Sequence, residues 1–139
     1  MWKSISKHGI LFVAGGILYV LIELFWRGYS HWSMFFIGGL CFFLIGLLNE
    51  VFPWNMPLCL QGLAGATVIT VAELAFGYLV NIRLGWQIWD YSDMPLNLMG
   101  QICVPFSLLW ILVSIAAVIT DDWIRYRIFN EKLPTYRLF

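Results

Sequence analysis

The sequence predicts an all-α integral membrane protein with four transmembrane helices in two helical hairpins, and three observations carry that reading. Hydrophobic residues make up 61% of the chain and charged residues 12%, with a mean hydropathy of +0.81. A water-soluble fold cannot hide that much apolar surface. Four apolar stretches reach the roughly 17–20 residues needed to cross a hydrocarbon core. The segments between them are short, or rich in turn-forming and polar residues.

The first span runs from about Gly9 to Trp26. Lys3 and Lys7 precede it in the manner of a signal peptide, but no small-residue cleavage site follows, and Glu23 and Arg27 close the run. A retained helix is therefore expected. The second span covers Met34 to about Val51, the third about Leu58 to Val80, and the fourth about Asn97 to Ile119. Arg27–Ser33 joins the first pair, Phe52–Pro57 carries two prolines, and Asn81–Leu96 is the one long connection. Cys41 and Cys103 fall within apolar runs and Cys59 at the edge of one. They read as small buried side chains, not as a disulfide or metal framework.

Positive residues resist translocation, so their distribution orients the chain. Lys3, Lys7, Arg125, Arg127, Lys132 and Arg137 share one side of a four-span layout, whereas only Arg27 and Arg83 lie on the other. The N- and C-termini are therefore expected to be cytoplasmic, in a multi-pass protein of the plasma (inner) membrane. Residues 1–120 form the transmembrane domain in this reading. Residues 121–139 form a short interfacial tail in which Trp123, Tyr126 and Phe129 alternate with Arg125 and Arg127 along the anionic lipid surface. The zero formal net charge implies no nucleic-acid partner.

A carboxylate inside a bilayer is costly unless it is paired, neutralised or wetted, so each one marks a candidate site. At 1.5 Å per residue, Glu23 lies about 20 Å along its helix from Ile10, and Glu73 about 22 Å from Leu58. The two helices run in the same direction, so the acids sit at similar depth toward the outer leaflet. Arg27 follows Glu23 at i+4, where an ion pair can form. Glu73 has no base nearby in the sequence. Gly62, Ala66, Thr70 and Gly77 share its face, a small-residue seam that points the acid into the bundle. Gly39, Gly46 and Glu50 make a similar stripe on the second helix, and Gly100, Ser107 and Ser114 on the fourth. Glu50, beside Asn49, reads as a solvated boundary residue.

The remaining chemistry gathers in the two outer loops. The first supplies Arg27 and His31, the second Arg83, Trp89, Asp90, Tyr91 and Asn97. Trp and Tyr at this depth form interfacial belts. Asp90, Asp93, Pro95 and Asn97 also suit turn chemistry, with Asn97 a cap for the fourth helix. Glu23, Arg27, His31, Glu73, Arg83, Trp89, Asp90, Tyr91 and Asn97 together form the candidate substrate-binding set. No catalytic residue, cofactor or metal is assigned. A short echo, Glu23-Leu24 against Glu73-Leu74, is compatible with a duplicated hairpin.

From Glu73 to Trp110 the chain reads ELAFGYLVNIRLGWQIWDYSDMPLNLMGQICVPFSLLW. This stretch resembles a family of small bacterial membrane proteins known as type IV ABC-transporter permeases. Their pattern of an acid, a Gly, Trp-Asp-Tyr-Ser, an Asn, a Gly and a Trp falls here on Glu73, Gly77, Trp89, Asp90, Tyr91, Ser92, Asn97, Gly100 and Trp110. The resemblance implies a membrane site involving Glu73 and Asp90.

Three functions compete on these residues. The first is a small transporter or permease-like protein with an outward-facing polar site lined by carboxylates. It would work with membrane lipid around it and as a homodimer or beside a partner membrane subunit. No G-x-x-x-x-G-K-[ST] occurs, so any ATP coupling requires a separate ATPase subunit. The second is a non-catalytic structural or regulatory subunit of a larger membrane complex. The third is a membrane-embedded enzyme acting on a lipid or surface-presented group, with acids for proton transfer and His31 as shuttle or metal ligand. Two His residues rule out a multi-histidine centre, and Ser92 lies in no nucleophile-elbow motif.

Overall fold

The computed structural model describes residues 1–53 and 55–139. Four helices are long and apolar enough to cross a membrane. They are α1 (Trp2–Arg27), α2 (Trp32–Val51), α3 (Leu58–Gly77), which continues as a π-helical segment Tyr78–Arg83, and α4 (Val104–Phe129). Helix α1 packs chiefly on α2, and α3 on α4. The result is two hairpins, with both chain termini, the Val51 end of α2 and the Leu58 end of α3 at one end of the bundle. That end is called the terminal end below, and the other the loop end.

Each boundary has a local cause. Helix α1 stops where Gly28 adopts a left-handed conformation (φ 77°) and donates its N–H to the Leu24 carbonyl. Helix α2 starts on His31, whose Nδ1 accepts the Ser33 amide at 3.2 Å. It ends at Val51, ahead of Pro53.

The largest departure from the sequence reading concerns α4, which begins at Val104 rather than Asn97. Pro95 disfavours helix, and Leu96, Met99 and Gly100 all have positive φ (53°, 56° and 71°), which no right-handed helix accommodates. The segment instead forms a tight hairpin. Its strands β1 (Asn97–Leu98) and β2 (Ile102–Cys103) pair antiparallel, Asn97 opposite Cys103 and Leu98 opposite Ile102. Asn97 therefore does not cap α4. Gly100 likewise leaves the α4 stripe, and the long connection becomes Leu84–Cys103. At its other end α4 runs past Ile119 to Phe129. The charges that close the apolar run are paired there, so they do not stop the helix. Helix α1 starts at Trp2 rather than Gly9 for a related reason: hydropathy marks the edge of an apolar core, not the last backbone hydrogen bond.

Small residues set the close approaches between helices. A Cβ on Gly39 would lie 2.7 Å from the Phe12 carbonyl oxygen, and one on Gly62 would lie 2.9 Å from that of Ile111. Backbone atoms cannot yield, so these positions fix the α1–α2 and α3–α4 seams. Thr70 and Ser107 meet across the second seam, hydroxyl to hydroxyl, at 3.2 Å.

Candidate functional site

Glu73 lies one turn before Gly77 near the loop end of α3 and is only 5% exposed. Among the described residues, no basic side chain forms an ion pair with it. Its Oε1 accepts the Tyr91 hydroxyl at 3.0 Å, and its Oε2 accepts the Trp110 indole N–H at 2.9 Å. Two neutral donors thus hold a buried carboxylate, which satisfies its hydrogen bonds without cancelling its charge. Tyr91 is fixed in turn by stacking on Phe106, with ring centroids 4.8 Å apart.

The Leu84–Cys103 loop reaches Glu73 because it folds back over the loop end. The Asn81 side chain accepts the Ile88 amide at 2.7 Å and donates to Gln101 Oε1 at 2.8 Å. The Trp89 indole donates to the Gln101 carbonyl at 3.0 Å. A Cβ on Gly77 would meet Gln101 Oε1 at 2.5 Å and the Trp89 ring at 3.1 Å, so glycine there lets the loop lie directly on α3. Opposite, Glu23 and Arg27 form the i,i+4 ion pair expected from their spacing, with Arg27 Nε 2.5 Å from Glu23 Oε2. Arg27 also donates to the Ile88 carbonyl at 3.0 Å, tying α1 to the loop.

Between these parts lies a cavity of about 130 Å³. Glu23, Arg27, Glu73, Trp89 and Tyr91 all line it, so five members of the candidate set converge. Its remaining wall is mainly aromatic and apolar, and includes Tyr19, Trp26, Phe106 and Trp110.

Four candidates lie elsewhere. The Asp90 side chain is fully exposed, and its Oδ1 accepts the Ser92 hydroxyl at 2.5 Å and the Ser92 amide at 2.9 Å. These bonds hold its carboxyl below the usual carboxylate range. Asn97 staples the turn: it donates to the carbonyls of Ser92 (3.2 Å) and Met94 (2.9 Å) and accepts the Gly100 amide (3.1 Å). His31 caps α2 and sits against the rings of Trp32 and Trp86, at 5.4 and 5.7 Å. Arg83 ends the π-helical segment and takes part in no ion pair among the described residues.

A second polar centre at the terminal end escaped the sequence reading. Arg125 is 4% exposed and Asp121 0%. Arg125 Nε lies 2.7 Å from Asp121 Oδ2, and the same guanidinium pairs with Glu50. Lys7 binds Glu131 and lies 3.3 Å from Glu50. Asn49 donates to Asp122 at 2.7 Å, and the Tyr136 hydroxyl donates to the other Asp122 oxygen at 2.8 Å. Burial, with that acceptor added, raises the Tyr136 phenol above its ordinary value. Glu50 is thus paired with two bases rather than simply solvated. The final residues close the arrangement, since the Leu58 and Cys59 amides donate to the Arg137 and Leu138 carbonyls at 2.7 and 3.2 Å. The signal was the i,i+4 spacing of Asp121 and Arg125, the same spacing that identified Glu23 and Arg27.

No curated protein and no solved structure matches the chain. A family match does reach well beyond the Glu73–Trp110 motif, into both hairpins. On that match, the chain belongs to the family described as "Putative ABC-transporter type IV", whose model covers residues 10–134.

Proposed function

We propose that this protein is a membrane-embedded transport component whose solute site is the cavity between α1, α3, α4 and the Leu84–Cys103 loop. The observation that carries the reading is Glu73, a buried acid with no basic partner among the described residues that faces the same cavity as the Glu23–Arg27 pair. A buried carboxylate is expensive in a membrane, and the Tyr91 and Trp110 donors that hold it would be served equally by a neutral acceptor. A cationic or polar solute would complete its electrostatics.

In the plasma membrane the positive-inside rule places the terminal end, with six of the eight Lys and Arg residues, in the cytoplasm. The cavity then opens outward. The chain carries no nucleotide-binding motif, so energy would come from a separate ATPase subunit. A second copy or a partner membrane subunit would supply the enclosure that four helices lack. The cavity brings neither His, Ser nor Cys to its acids, which favours binding over catalysis.

Purification of the chain from its native membrane in mild detergent tests the assignment. The expected result is co-purification of an ATP-hydrolysing chain whose turnover changes at least about twofold when Glu73→Gln replaces the wild type. Recovery without ATPase activity, or identical turnover for the two forms, contradicts it.

A further inference from the structure

The cavity's charge and wall chemistry restrict what it can hold. Two carboxylates face one guanidinium, leaving one net negative charge when the acids are ionised. The guanidinium is paired with Glu23, donates through Nη1 to the Ile88 carbonyl and lies over the Tyr29 ring, 4.6 Å from its centroid, while its Nη2 has no hydrogen-bond partner among the described residues. An anionic solute could reach that one donor only beside two carboxylates, whose combined charge exceeds that of the guanidinium.

The aromatic wall adds a second restriction. Trp89 and Trp110 have both spent their indole N–H groups, on the Gln101 carbonyl and on Glu73, and the Tyr91 hydroxyl is likewise spent on Glu73. These residues offer the cavity ring surface rather than donors. Phe106 offers ring surface alone. Aromatic faces beside an uncompensated carboxylate attract a weakly hydrated organic cation, because the ring quadrupole presents negative charge without demanding hydrogen bonds. A hard metal ion needs several oxygen ligands instead. Among the described residues, no group of three or more His, Cys, Asp or Glu side chains is placed to supply them. The volume of about 130 Å³ matches roughly four water molecules, which suits a small ion and excludes a drug-sized solute.

We infer that the cavity binds a small organic ammonium group, with Glu73 as its counter-charge and Phe106, Trp89 and Trp110 as its aromatic walls. The inference rests on the solute-site reading above and narrows it to one chemical class. The group has two sources, a free solute or the headgroup of a choline lipid, and both present the same trimethylammonium chemistry.

Calorimetric titration of the full chain in phosphatidylglycerol nanodiscs, which contain no ammonium lipid, tests it. Choline is expected to bind at least about tenfold more tightly than its uncharged carbon isostere. Phe106→Leu, which removes a ring and no hydrogen bond, is expected to weaken choline several-fold more than it weakens the isostere. Transfer to phosphatidylcholine nanodiscs then assigns the source: competition with added choline identifies the headgroup, and undiminished choline binding identifies the free solute. Equal affinity for choline and its isostere overturns the ammonium class, as does preferential binding of acetate. If either result comes with loss of binding in Glu73→Gln, the solute site itself stands. Unchanged binding of every probe in Glu73→Gln overturns the site and the class together.

Discussion

Replacing Arg125 with Leu is expected to lower the unfolding free energy by about 3–5 kcal/mol, the range for removing one partner of a buried ion pair. Asp121 is fully buried, and without the guanidinium its remaining partner would be the Asn49 amide at 3.3 Å. Its Oδ1 already has no hydrogen-bond partner. The loss would also leave Glu50 on α2 and Glu131 beyond α4 to Lys7, which now shares both with Arg125. Arg125→Leu combined with Asp121→Asn should recover most of the stability, because a buried pair replaced as a unit costs far less than a single orphaned charge. Denaturant titration of the purified protein in mixed micelles reads both values. A single variant within about 1 kcal/mol of wild type would show that the terminal-end network does not hold the hairpins together.

Changes at Glu73 should separate stability from function. Glu73→Leu strands the Tyr91 hydroxyl and the Trp110 indole N–H, each an orphaned donor worth about 1–3 kcal/mol, and it undocks the loop that Tyr91 anchors. Glu73→Gln keeps an acceptor for one donor and the approximate shape of the side chain, so the fold should survive with a smaller loss. Ligand affinity should nonetheless fall by about tenfold or more in both, since the counter-charge is gone in each. Melting temperature measured beside calorimetric affinity distinguishes the two effects. Glu73→Gln with full affinity would assign Glu73 to loop anchoring alone.

Part of this arrangement was legible in the sequence. Apolar length gave the four spans and their pairing into hairpins, because backbone hydrogen bonding in lipid leaves little alternative to helices. Helical rise placed Glu23 and Glu73 at one depth, and i,i+4 spacing gave the Glu23–Arg27 pair. The loop was less legible. Asp90 and Tyr91 are neighbours, yet Tyr91 turns inward to Glu73 while Asp90 stays in solvent. The loop that presents them carries left-handed backbone at Gly85, Gln87, Leu96, Met99 and Gly100, of which only the glycines advertise themselves in sequence. The terminal-end network was hidden for another reason. Hydropathy closes α4 at its first charges, whereas the helix continues through Asp121, Asp122 and Arg125 by pairing them with α2 and with the chain beyond α4.

Charge-selective labelling of the cavity from outside the cell tests the outward-opening acidic site most directly. The protein would carry Leu109→Cys, a lining position, with Cys41, Cys59 and Cys103 replaced by Ser. Two membrane-impermeant thiosulfonate reagents would be compared, one ending in trimethylammonium and one in sulfonate, each normalised to its rate at an exposed Leu96→Cys. The cationic reagent is expected to react from outside at least about tenfold faster, and the preference should disappear in Glu73→Gln. Equal rates for the two reagents, or reaction only from the cytoplasmic side, would contradict the account.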